Sequence, residues 1–123
     1  MEQIFTVEQA RDLMPAVLAR AGELVAARAD LAELQADRRR GRPSALGGLP
    51  EAKGLEARLG ELLGWFPEQG IEVKGFAPLL LDFPATFGDE PVLLCWLEGD
   101  TELGWYHRLD CGFPGRRPIP GTV

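Results

Sequence analysis

At Gly70 the hydrophobic pattern changes period, and nothing else in the 123 residues limits the possible folds as strongly. Before it, apolar residues recur every three or four positions. Val17, Ala21, Leu24, Leu31 and Leu34 fall on one stripe, and Leu55, Leu59, Leu62 and Phe66 on another, as expected for two amphipathic helices. After it, Ile71-Glu72-Val73-Lys74 alternates, while Leu79 to Phe83 and Pro91 to Leu97 are short apolar runs with turn signals at Gly88-Asp89 and Gly99-Asp100. Those are strand signatures. Helices followed by strands predict an α+β protein with a small antiparallel sheet.

The ends of the elements follow from local chemistry. Thr6 and Gln9 have the spacing of a capping box and start the first helix. Pro15 cannot donate to residue 11, so it ends or kinks the first helical piece. The long helix reaches residue 40, where Gly41 and Pro43 stop it. A Gly/Pro-rich connection, residues 41 to 50, leads to a second helix over 51–69, giving an antiparallel helical hairpin. The long piece would run for about 37 Å, more than one small sheet covers. An uncovered apolar stripe suits a second copy of the chain, so a homodimer is expected, with a protein partner possible. The whole reads as a single domain over 1–123: the hairpin (7–40 and 51–69), then the sheet and tail (71–123). Nine of the ten aromatics lie from Trp65 onward, so the large packing groups belong to the second half.

Charge and composition narrow the functions. The formal net charge is −6 and the pI near 4.8, whereas duplex binding generally needs a basic face. The one basic cluster, Arg38-Arg39-Arg40-Gly41-Arg42, sits where it complements the negative end of a helix. No nucleic acid is expected as a partner. No apolar run approaches the roughly 18–20 residues of a membrane span, so no membrane association is expected. Met1 to Phe5 lacks the pattern of a signal peptide. A bacterial, cytoplasmic protein with reduced Cys95 and Cys111 is the expectation.

The reactive side chains gather in Leu94-Cys95-Trp96-Leu97-Glu98-Gly99-Asp100-Thr101-Glu102-Leu103-Gly104-Trp105-Tyr106-His107, which holds the only histidine. Whether Cys95 and His107 meet depends on loop parity. If Glu98 opposes Glu102, then Cys95 opposes Trp105 and shares a face with His107. A loop one residue shorter or longer puts Cys95 with Tyr106 instead, and the sequence leaves both open. No zinc-type spacing such as C-x-x-C is present, so no metal or other cofactor is expected. The plain reading is a packed hairpin, with Cys95 a small buried hydrophobe and His107 a hydrogen-bonded core residue. The alternative is a small-molecule or metal site, with catalysis open to it, built from His107, Cys95, Asp82 and Asp110, with Glu98 near and Arg116 and Arg117 as an anion clamp. Asp82 ends an apolar run and calls for a partner; a buried Asp–Arg pair would supply one.

Several short motifs together resemble an uncharacterised bacterial domain-of-unknown-function family, sometimes labelled division-initiation protein. They are Phe5-Thr6-Val7-Glu8-Gln9-Ala10 with Pro15, Gly70-Ile71-Glu72-Val73-Lys74, Asp82-Phe83-Pro84-Ala85, and Leu94-Cys95-Trp96 with Gly99. The aromatic before His107 and Gly112-Phe113 with Gly115-Arg116-Arg117-Pro118 complete the set. The likeness covers nearly the whole chain. The chain departs from the family pattern at Gly75, Leu79 and Leu97 and in the order of Trp105-Tyr106. The resemblance brings no activity with it. The function expected from the sequence is non-catalytic self-association through the hairpin, with the site on the sheet as the alternative.

Overall fold

The computed structural model describes residues 3–121. Two helices precede a five-stranded antiparallel sheet, the predicted α+β arrangement: α1 (Val7–Arg39), α2 (Leu49–Glu68), β1 (Glu72–Phe76), β2 (Leu79–Phe87), β3 (Glu90–Leu97), β4 (Trp105–Arg108) and β5 (Arg117–Pro118). A short 3-10 turn, Phe113–Gly115, lies between the last two strands. The chain forms two compact units. One joins the segment up to Val17 with everything from Phe66 onward; the other is Leu18–Trp65.

The capping box forms as predicted. Gln9 N donates to Thr6 Oγ1 and Thr6 N donates to Gln9 Oε1, both at 3.0 Å. Pro15 does not end α1, which runs unbroken for 33 residues, about 50 Å. Gly41 takes φ 65°, a left-handed conformation that costs a glycine little and stops the helix.

Within the Leu18–Trp65 unit the two helices bury Ala21, Leu24, Ala27, Leu34, Ala52, Leu59 and Leu62. Arg58 bonds Glu23 across the pair at 3.2 Å. Of the apolar stripe on α1, Ala21, Leu24 and Leu34 are buried and Leu31 is half-exposed. Arg38 and Arg39 occupy the last turn of α1, and Arg42 pairs with Asp37 at 3.0 Å. Among the described residues no helix is long and apolar enough to cross a membrane.

In the other unit the sheet is a simple meander, β1-β2-β3-β4-β5. Phe5 bridges Ala85 in parallel, its N–H donating to Pro84 O at 2.7 Å, and its ring meets Phe83 edge to face at 5.5 Å. Alternation along the strands sorts residues onto two faces. One carries Leu81, Phe83, Leu94 and Trp96, all buried and apolar. The other carries Asp82, Leu93, Cys95 and His107, also buried but of mixed chemistry. Burial on both faces explains why the core of β3 reads as a continuous apolar run.

Candidate metal centre on the sheet

Register decides which reactive groups meet. Asp82 pairs with Cys95, Cys95 with Trp105, and Leu93 with His107. This is the parity in which Cys95 and His107 share a face. The connection is longer than the three-residue loop considered above, spanning Glu98–Gly104, and its odd length keeps the same parity. Asp100 holds it in shape: its side chain accepts from Leu97 N at 3.0 Å, and its carbonyl accepts from Trp96 Nε1 at 3.0 Å.

Across this face three side chains from three adjacent strands converge. One donor atom each from Asp82 on β2, Cys95 on β3 and His107 on β4 lies within 4.8 Å of the other two. Asp82 and His107 are each 3 % exposed and Cys95 is fully buried. His107 Nδ1 lies 2.8 Å from the carbonyl oxygen of Arg108. A carbonyl only accepts, so Nδ1 carries a proton and donates it. That leaves Nε2 facing both carboxylate oxygens of Asp82, each at 3.2 Å. A lone pair on Nε2 would confront an ionised carboxylate there, so the contact is bridged by a proton or by another cation.

Cys95 completes the cluster as a thiol. Burial pushes its pKa from an ordinary 9.0 up to about 12, and the neighbouring Asp82 charge pushes the same way, against a smaller opposing pull from Arg116. Such a thiol is no nucleophile at neutral pH. Nor does His107 serve as its base, because both ring nitrogens are already engaged.

The remaining predicted residues separate into two groups. Arg116 belongs to the neighbourhood of the cluster, but its ion pair is with Asp100 at 3.3 Å, and its guanidinium stacks 4.6 Å from the Trp105 ring centre. The expected buried Asp–Arg pair is therefore corrected: Asp82 takes His107 as its partner, with Lys74 Nζ 3.9 Å from Asp82 Oδ2. Asp110 lies outside the site. It is exposed and forked by Arg108 at 2.9 and 2.6 Å, a pairing that lowers its carboxyl pKa and raises that of the guanidinium. Arg117 lies elsewhere too, lining a cleft of about 240 Å³ with Phe87, Tyr106, Arg108 and Cys111. Glu98 accepts from Leu79 N at 2.9 Å. Lys74 was not foreseen as a neighbour of the site. The alternation Glu72-Val73-Lys74, which puts its charged residues on one strand face, was the available signal.

The donor set suits a thiophilic divalent ion. Carboxylate, thiolate and imidazole are the ligand types of zinc, whose bond lengths of about 2.0–2.3 Å place donors roughly 3.4–3.6 Å apart. In the cluster His107 Nε2 and the Asp82 carboxylate stand 3.2 Å apart and all three donor atoms lie within 4.8 Å of one another, close to that spacing. The bond from Nδ1 to a backbone carbonyl is the outer-shell contact that fixes a ligating histidine in the right tautomer.

Fold and cluster together define an α+β protein whose meander sheet buries a mixed carboxylate–thiol–imidazole set. The chain belongs to the DUF2203 family of uncharacterized conserved proteins, whose family model matches residues 3–119. No curated protein and no solved structure matches it.

Proposed function

We propose that this protein binds a divalent transition metal of the zinc class in its sheet, through Asp82, Cys95 and His107. The observation that carries the reading is the convergence of three ligand atoms within 4.8 Å from three neighbouring strands. Magnesium and calcium seek all-oxygen shells, whereas a thiol and an imidazole favour zinc and its neighbours. The cost of the cluster supports the same conclusion. A buried carboxylate and imidazole are expensive to desolvate, and apolar residues of similar volume would pack at least as well. Among the described residues Asp82 and His107 are the two buried polar side chains, and both belong to this trio, which favours a ligand there.

The test is calorimetric titration of the chelator-treated protein with zinc, alongside elemental analysis of protein purified without chelator. One zinc per chain is expected, lost in Cys95→Ser and His107→Gln variants that keep the wild-type circular dichroism. Stoichiometric binding that survives both substitutions, or no binding to the wild type, would refute the reading.

A further inference from the structure

Three protein donors leave a four-coordinate ion one ligand short. Among the described residues the cluster holds no fourth histidine, cysteine or carboxylate. Two cations stand beside it together with the acids that hold them, Glu72 for Lys74 and Asp100 for Arg116. Lys74 stands on the β1 side, 3.9 Å from Asp82 and 3.2 Å from Glu72, with its side chain 45 % exposed. Arg116 stands on the tail side. It lies 4.6 Å over the ring of Trp105, the cross-strand partner of Cys95, and 5.0 Å from the ring of Phe113. Asp100 tethers it at 3.3 Å.

A charged lysine or arginine has no lone pair to give a metal, so neither residue can complete the shell. What both favour nearby is negative charge. Each retains donors beyond its carboxylate contacts, two for Lys74 and one for Arg116, since an ammonium has three N–H groups and a guanidinium five. The two aromatic rings already restrict Arg116, so little side-chain freedom is lost when it engages a second oxygen ligand. Its planar fork matches the paired oxygens of a carboxylate or phosphate.

We propose that the fourth position on the ion takes an external oxyanion, a carboxylate or a phosphate, held against the metal by Lys74 and Arg116. This rests on the metal reading above. The exposed Lys74 side chain makes the β1 side the approach, and the stacked Arg116 orients the ligand from the tail. The site on this account is an exchangeable one, in which a small anion comes and goes on a protein-held metal, rather than a closed structural clamp.

The experiment uses the full chain loaded with cobalt(II), whose visible absorption reports ligand exchange directly. Acetate and inorganic phosphate are titrated separately into the loaded protein. The expected result is a saturable spectral change with one of them, which identifies the oxyanion class. In Lys74→Met and Arg116→Met variants saturated with cobalt, the apparent Kd for the anion should rise about tenfold or more. A cobalt spectrum that neither anion moves would overturn this proposal while leaving the metal reading intact. So would anion binding that both variants preserve. Failure of the wild type to take up cobalt, seen before any anion is added, would overturn the metal reading itself. Lys74 is half exposed, so its variant keeps the test informative even where Arg116→Met disturbs the tail.

Discussion

Cys95 and His107 carry the two residue-level consequences that can be measured without any metal. The Cys95 thiol has a folded pKa of about 12 against an ordinary 9.0. Unfolded chain therefore loses this proton first as pH rises. The stability tied to the buried neutral thiol is complete below pH 9 and is lost as pH climbs toward 12, by at most about 4 kcal/mol. Urea unfolding of the metal-free protein should show this alkaline decline, and Cys95→Val should flatten it relative to wild type. Equal slopes in the two proteins would mean that the thiol is not held as described. For His107 the expectation concerns pairing. His107→Ala leaves the buried Asp82 carboxylate with only Lys74, 3.9 Å away, and should cost about 3–5 kcal/mol in chemical denaturation. The double variant with Asp82→Ala should lose clearly less than the two single losses added together, because the charge that needed a partner is gone.

The helices and strands form where the periodicity places them. Leu24 and Leu34 are completely buried within the Leu18–Trp65 unit. Leu24→Ala should therefore lower stability by about 2–5 kcal/mol, whereas Glu33→Ala, on an exposed position, should change it by less than about 0.5 kcal/mol. A matching loss at both positions would contradict the assigned packing face. Leu18 and Leu49 are the large apolar side chains of the described helices that stay exposed. The capping box, the glycine stop and the change of period at Gly70 were legible because each depends on neighbours in the chain. The persistence of α1 through Pro15 was not, since a proline this near the start of a helix leaves one carbonyl unbonded and the remaining turns can carry on. The site was legible in its parts only. Asp82, Cys95, His107 and Arg116 could be picked out by type, but their meeting depends on the parity of a loop and on diagonal reach across β3. Neither leaves a mark in local composition. Asp110 and Arg117 drew attention for the same reason and sit elsewhere, because proximity in sequence to His107 and Arg116 did not decide where their side chains went.

At the scale of the molecule, the chain divides into a helical unit and a sheet unit that contains every proposed ligand. A ligand that binds only the folded state stabilises it by mass action, by about 2.7 kcal/mol at a free concentration a hundredfold above its Kd. Zinc should therefore raise the thermal midpoint and slow amide hydrogen exchange, most strongly in β2, β3 and β4. Protection confined to the Leu18–Trp65 helices would place the ion somewhere else. The most direct test of the central claim is anomalous diffraction at the zinc edge from crystals grown with one equivalent of zinc. One strong peak is expected within about 2.0–2.3 Å of Asp82 carboxylate oxygen, Cys95 Sγ and His107 Nε2. Zinc bound only at exposed carboxylates such as Asp110, with the three buried donors still in direct contact with one another, would contradict it.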